Sequence, residues 1–127
     1  RDERFLGWFN QTLEKKSKGE KVNLKLAIEV VEDWFKSPDF RGCAFINTTA
    51  ETGPDENEEK KICSNHKKLF SKILEEVAIS DGYQSPKKIA DQLAVTIDGA
   101  TVRAQMDGPQ AGILALRSLA ITVLNQK

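Results

Sequence analysis

The sequence is poor in the residue types that carry most catalytic and metal chemistry. Its 127 residues include one histidine, one tyrosine and two cysteines. Two cysteines are too few for a disulfide scaffold, so we expect Cys43 and Cys63 to be reduced, buried thiols. The sequence contains no glycine-rich phosphate loop and no helical pattern with a spaced carboxylate and histidine pair. We therefore expect no enzyme activity, no cofactor and no metal site.

A net charge and a long apolar run are also lacking. The 19 basic residues are balanced by 19 acidic ones, so no global field favours nucleic acid or an anionic membrane. No apolar run approaches the roughly 18 residues of a membrane span, and no charged-then-apolar leader begins the chain. These features predict a cytoplasmic protein with no membrane partner. Because Arg1 already lies in a helical pattern, we expect a fragment of a longer protein.

Helical periodicity is the main signal that the sequence does carry. Apolar residues recur at spacings of three and four, and no stretch alternates with a period of two. The predicted helices span residues 2–16, 22–36, about 55–80, 86–106 and 110–125, with a short buried helix or turn at 42–50. The pattern predicts a single all-α domain over residues 1–127.

The last two predicted helices, 86–106 and 110–125, are separated by Asp107-Gly108-Pro109. Glycine accepts a left-handed turn and proline suits a first helical position, so this tripeptide ends one helix and starts the next. The final helix is apolar on more than one face, which a domain of this size cannot cover alone. We therefore predict a homodimer formed through the C-terminal helix pair.

Candidate interface residues lie on one face of each C-terminal helix. They are Val95, Gly99, Val102, Met106, Leu114, Ser118 and Ile121. A glycine inside a helix costs about 1 kcal/mol relative to alanine, and either close approach of a partner backbone or a simple kink explains Gly99. Which face of the final helix meets the partner stays open, because Ile113, Leu116, Arg117 and Ala120 form a second candidate side.

A small-molecule pocket is the other candidate site. The segment 43–49 is apolar but contains Asn47, Thr48 and Thr49, a mixture that ligand pockets use for shape and orientation. Ordinary core packing is the alternative role for the aromatic residues nearby. The candidate ligand-binding residues are Trp34, Phe45, Ile46, Thr49, His66, Phe70, Ile97 and Thr101.

His66 is the single histidine and is spaced to share an inner helical face with Ile62, Leu69 and Phe70. It is interpreted either as a hydrogen-bonded core histidine or as a pocket group that contacts a ligand. A metal-ligand role is disfavoured, because Glu51 and two unpatterned cysteines do not supply the ligand spacing of a zinc site.

The order and spacing of several residues resemble the C-terminal regulatory domain of TetR-family transcriptional regulators. The similar positions are Trp34-Phe35-x-Ser37-Pro38-x-Phe40-Arg41-Gly42-Cys43-Ala44-Phe45-Ile46-Asn47, then Glu51, His66 and Asp98-Gly99-Ala100. The resemblance covers nearly the whole chain, with the best agreement at residues 34–51 and 93–104. Residues 1–16 would correspond to the helix that links the two domains of such regulators.

This resemblance implies a homodimeric, all-helical regulator, most simply a repressor, in which a small-molecule effector alters operator binding. The last two helices of each subunit would form a four-helix bundle. The N-terminal helix-turn-helix domain is absent from these residues, so operator DNA is expected as a partner only of the full-length protein. A largely apolar or aromatic effector is expected from the candidate lining. The alternative interpretation is a helical interaction or adaptor domain that binds another protein and no ligand.

Overall fold

The computed structural model describes residues 2–52 and 58–127, apart from the side chains of residues 2, 3, 45, 48, 49 and 52. This part of the chain contains six α-helices and no strand, which confirms the predicted all-α class. The helices are α1 (Asp2–Ser17), α2 (Leu24–Lys36), α3 (Ala44–Thr52), α4 (Glu58–Ser80), α5 (Pro86–Asp107) and α6 (Pro109–Leu124).

Local chemistry accounts for several helix ends. The Asn23 side chain caps α2 by accepting a hydrogen bond from the Leu26 amide at 2.9 Å. Gly108 has φ of +99° between α5 and α6, and Pro109 starts α6, as the sequence predicts. Ser85 occupies the N-cap position of α5, but its side chain makes no capping hydrogen bond.

Helix α2 lies at the centre of the domain and packs against α1, α4, α5 and α6. Its apolar residues cover more than one face, so each neighbouring helix finds an apolar surface. The buried residues of α2 are Leu24, Ala27, Ile28, Val30, Val31, Glu32 and Phe35. The core is therefore built around α2, with α1 on one side and the α5–α6 pair on another.

A bidentate ion pair joins α2 to α6. The Arg117 guanidinium donates to both oxygens of the Glu32 carboxylate, at 2.8 and 3.0 Å. The Glu32 side chain is only 7% exposed, whereas the Arg117 side chain is largely exposed. The hydrogen bond and the charge of Glu32 raise the pKa of Arg117. This pair sets how α6 lies on α2, because the buried carboxylate needs its partner.

We expect Arg117→Ala to lower the melting temperature by several degrees, because it leaves the Glu32 carboxylate buried without its cation. Thermal unfolding followed by circular dichroism measures this change. Arg103→Ala is the matched control, since Arg103 pairs with Asp107 at 2.9 Å with both side chains largely exposed. Such exposed pairs contribute under about 1 kcal/mol. Equal effects of the two variants would contradict a structural role for the α2–α6 ion pair.

The C-terminal end of α6 is anchored to the turn between α4 and α5. The Tyr83 hydroxyl donates to the Leu124 carbonyl at 2.8 Å, and the Lys127 ammonium lies 3.1 Å from the Asp81 carboxylate. Burial, followed by the charge of Asp81, raises the pKa of Tyr83. Both ends of α6 are therefore held, the first by its short connection to α5 and the second by this turn.

Candidate functional site

A cavity of about 650 Å³ lies between α1, α2, α4, α5 and the connector before α3. We call it the aromatic cavity. Its lining residues are Arg4, Phe5, Trp8, Val31, Trp34, Ser37, Asp39, Gly42, Cys43, Ala44, His66, Lys67, Phe70, Ile97, Asp98 and Thr101. This volume falls within the range of about 300–1,000 Å³ that is typical of small-molecule sites.

Phe5 of α1 is the centre of the aromatic wall. Its ring centroid lies 5.1 Å from that of Trp34 and 6.0 Å from that of Phe70, edge-to-face in both cases. The imidazole of His66 lies 5.9 Å from the same ring. Ring pairs at such distances stabilise one another by about 0.5–1.5 kcal/mol beyond area burial. The wall is therefore preorganised, so binding of a planar apolar ligand would cost little conformational entropy in these side chains.

The charged groups of the cavity balance one another. Arg4 and Lys67 are matched by Asp39 and Asp98, and the Lys67 ammonium lies 2.7 Å from the Asp98 carboxylate. A ligand with a large net charge would therefore find no surplus of opposite charge in this lining. Balanced charge and aromatic walls together favour a neutral or weakly polar ligand.

Thr101 is the buried polar group that α5 brings to the lining. Its hydroxyl donates to the Ile97 carbonyl of the preceding turn at 2.7 Å. The hydroxyl oxygen retains acceptor capacity, because a serine or threonine hydroxyl has one donor and two lone pairs. Thr101 therefore suits a ligand group that donates a hydrogen bond.

Most of the predicted ligand-binding residues converge on the aromatic cavity. Its lining includes Trp34, His66, Phe70, Ile97 and Thr101. They come from three helices that are distant in sequence, and the fold brings them together. Their contact with a ligand stays a prediction.

Of the other three predicted residues, only Ile46 has a described side chain. Ile46 of α3 lines a separate groove between α3 and α4. The side chains of Phe45 and Thr49 lie outside the described residues. Helix α3 therefore contributes Ala44 to the aromatic cavity, whereas Ile46 and Ala50 line the other groove.

His66 is buried, but the inner face of α4 differs from the prediction. The buried residues of this helix are Cys63, His66, Phe70, Leu74, Val77 and Ala78. Ile62 and Leu69, predicted to share the inner face, are exposed. Successive helical residues are about 100° apart, so two neighbouring stripes of α4 compete for the core. The stripe that includes Cys63 packs inward, and the one that includes Ile62 faces solvent.

Sequence reasoning missed the contribution of α1 to the cavity. Arg4, Phe5 and Trp8 line it, although residues 1–16 were interpreted as a linking helix. The signal that points to this role is the cluster of three aromatic residues within the first nine positions. Such a cluster on one helix requires an apolar surface opposite it, and here the aromatic wall of α2 and α4 supplies that surface.

The two faces of α5 separate as the sequence spacing suggests, and the structure buries one of the two α6 faces that the sequence left open. Leu93, Ile97, Leu116 and Ala120 are among the buried residues of the two helices. The seven candidate interface residues are all exposed in the single chain. Exposure reaches 73% at Val95, 74% at Met106 and 60% at both Leu114 and Ile121. We call this surface, formed by Val95, Gly99, Val102, Met106, Leu114, Ser118 and Ile121, the outer apolar face.

Metal-ligating side chains, long apolar helices and cysteines were located in the described part of the chain. Over residues 2–52 and 58–127, no three His, Cys, Asp or Glu side chains are grouped so that they would hold a metal ion. No helix within the same residues combines the length and apolarity needed to cross a bilayer. Cys43 and Cys63 are both buried free thiols, as predicted.

Comparisons with known proteins did not identify a family for this chain. None of the protein-family models, curated proteins or solved structures compared with the chain matched it. What the chain does therefore has to follow from the aromatic cavity, the outer apolar face and the helices that connect them.

Proposed function

We propose that these 127 residues form the effector-sensing and dimerisation domain of a TetR-like transcriptional regulator, most simply a repressor. Operator binding would belong to a helix-turn-helix domain outside these residues. The effector would be a small, largely apolar or aromatic molecule that occupies the aromatic cavity. A second copy of the chain would cover the outer apolar face, so that α5 and α6 of two subunits form a four-helix bundle.

The observation that carries this proposal is the placement of α5. One side of this helix contributes Ile97 and Thr101 to the aromatic cavity. The other side presents Val95, Gly99 and Val102 to solvent on the outer apolar face. A ligand and a second subunit would therefore contact the same rigid helix from opposite sides. This is the arrangement that a sensor coupled to dimer geometry requires.

The mechanism would be a population shift. An effector that fits one position of α5 better than another shifts the domain toward that position, by no more than its difference in affinity for the two. Because α5 is joined to α6 by the short turn at Gly108 and packs closely against it, the pair would move together. A change at the dimer contact would then alter the separation of the attached DNA-binding domains.

The cavity is tested with a neutral aromatic dye, N-phenyl-1-naphthylamine, and with tryptophan fluorescence. The chain has two tryptophans, Trp8 and Trp34, and both line the aromatic cavity. We expect saturable quenching of their emission as the dye binds. Ala44→Phe places a ring in the half-buried lining and should weaken dye binding about tenfold or more, because it fills the site.

Ala50→Phe is the matched control, since Ala50 is on the same helix but is exposed and lines the other groove. It should leave dye affinity within about twofold. Equal loss in both variants, or dye binding that does not saturate, would contradict a ligand site in the aromatic cavity. Circular dichroism spectra show whether both variants retain the helical fold.

The adaptor interpretation shares the outer apolar face but gives the aromatic cavity no role. Sedimentation distinguishes the two. A stable homodimer that also binds the dye supports the sensor domain, whereas a monomer at all concentrations that does not bind the dye supports an interaction domain for another protein. A stable dimer interface is expected to bury on the order of 800 Å² of each subunit.

A further inference from the structure

A basic groove lies between α3 and α4, outside the aromatic cavity. Its volume is about 880 Å³. The lining residues are Ile46, Ala50, Lys60, Lys61, Cys63, Ser64, Asn65, Lys67, Lys68 and Asp98. Among the described residues, four lysines and one carboxylate line this concave surface. The chain as a whole has no net charge, so this groove is a local concentration of positive charge.

Two of these lysines are not neutralised within the part of the chain that the structure describes. Lys67 pairs with Asp98 at 2.7 Å, but Lys61 and Lys68 are exposed and form no ion pair with a described residue. Lys61 and Lys68 are seven positions apart, so they lie on the same face of α4, about 10 Å apart along its axis. Their side chains are long enough to converge on one anion.

Further along α4, the described lysines lie beside carboxylates. A smaller groove of about 360 Å³ continues along α4 and adds Lys72 and Lys87. There, Lys87 lies 3.1 Å from Asp91, and Lys72 lies 3.9 Å from Glu75. Each added lysine therefore has a carboxylate beside it. This arrangement favours a compact anion with several charges over a long polyanion that would follow the helix.

The side chains of the groove also argue against nucleic acid as the ligand. Neither an aromatic residue nor an arginine is among the described lining residues of the two grooves. Single-stranded nucleic acids are usually held by aromatic stacking, and a duplex is bound through many phosphate contacts spread along its length, more than the lysines of this groove supply. Lysine instead binds phosphate as a point charge, and Ser64 and Asn65 add neutral hydrogen-bonding groups.

We propose that the groove between α3 and α4 binds a compact oligophosphate, either inorganic or attached to a nucleoside. Lys61 and Lys68 supply the main attraction, and Ile46 and Ala50 form an apolar wall for any attached organic group. The Lys67–Asp98 ion pair lines both this groove and the aromatic cavity, so it marks the boundary between the two sites. This proposal does not depend on an effector in the aromatic cavity.

Isothermal titration of the chain with sodium tripolyphosphate at about 50 mM salt tests the site. We expect saturable binding that weakens as salt increases, because the attraction is between exposed charges. The double variant Lys61→Gln, Lys68→Gln should reduce affinity at least tenfold. The control is Lys15→Gln, Lys25→Gln, which removes the same charge from exposed positions of α1 and α2 and should change affinity less than threefold.

Amide shifts in nuclear magnetic resonance spectra locate the site. Tripolyphosphate should shift Ser64 and Asn65 and leave the indole signal of Trp34 in place. Equal affinity for adenosine triphosphate supports recognition of the phosphate chain alone, and tighter binding supports an added contact with the nucleoside. Three results would each overturn the proposal: no saturation below about 10 mM, equal losses in the two double variants, or binding of duplex DNA that tripolyphosphate does not displace.

Discussion

Leu114→Asp and Ile121→Asp are each expected to convert the proposed homodimer into a folded monomer. Both side chains are 60% exposed in the single chain, so a carboxylate at either position stays hydrated in the monomer. In the proposed dimer the same carboxylate would be buried without a partner, which costs several kcal/mol. The dimer dissociation constant should therefore rise at least about 100-fold. Sedimentation equilibrium measures it, and the melting temperature shows whether the monomer is folded.

Leu69→Asp is the matched control for these variants. Leu69 is 51% exposed but lies on α4, away from the outer apolar face, so this variant should remain a dimer. Wild-type protein that is monomeric at every concentration would refute the dimer itself. Dimers in all three variants would show that the subunits associate through another surface. Loss of the dimer only in the α6 variants would support the proposed four-helix bundle.

Gly112→Ala is expected to lower the free energy of unfolding by about 1–3 kcal/mol. A Cβ atom at Gly112 would lie 2.5 Å from the Ala104 Cβ and 2.8 Å from the Ala100 carbonyl oxygen. Because the carbonyl belongs to the backbone of α5, the two helices would have to separate, and overpacking of this kind is costly. The gain of up to about 1 kcal/mol in helix propensity does not offset it. Urea denaturation measures the change.

Gly99→Ala, in the same helix pair, is expected to raise the free energy of unfolding of the single chain. Apart from the chain neighbours of Gly99 and the nearby backbone of α5, no described atom lies within 4 Å of a Cβ built at this position. The single chain should therefore gain up to about 1 kcal/mol from helix propensity. If a partner backbone approaches this position, the same substitution should weaken the dimer. A stabilising effect of Gly112→Ala, or equal effects of the two substitutions, would contradict the close packing of α5 and α6.

Helix positions were predictable because their signals are local. Pro38, Gly82 and the Gly108-Pro109 pair lie at helix ends that depend on the backbone preferences of a few neighbouring residues. The division of α5 into two faces also followed from spacing alone, since Ile97 and Val95 differ by about 160° around any α-helix. These features need no knowledge of which helix packs against which.

The orientation of α4 was not predictable in this way. Ile62, Leu69 and Ile73 form one apolar stripe and His66, Phe70 and Leu74 form another, and spacing alone does not rank them. Contact with the ring of Phe5, at 5.9 Å from His66 and 6.0 Å from Phe70, places the second stripe inward. The competing stripe is exposed at Ile62 and Leu69 because α5 and α1 meet α4 on its other side.

The positive charge of the groove between α3 and α4 was also not predictable from the sequence. The spacing of Lys61 and Lys68 places them on one face of a helix, but a net charge of zero gives no indication that this face lacks carboxylates. Asp98, 31 positions away in sequence, pairs with Lys67. No described carboxylate pairs with Lys61 or Lys68. The charge balance of a groove depends on which helices pack together, and the composition of the whole chain does not predict it.

The sequence by itself determined that this protein is helical, approximately where its helices end, and that its last two helices carry apolar residues on more than one face. These are consequences of residue spacing and backbone preference. Only the tertiary structure decided which faces meet, that α1 completes the aromatic cavity, and that Leu114 and Ile121 rather than Ile113 and Leu116 face outward. The physical reason is that several apolar faces compete for one core, and the outcome depends on how all the helices pack together.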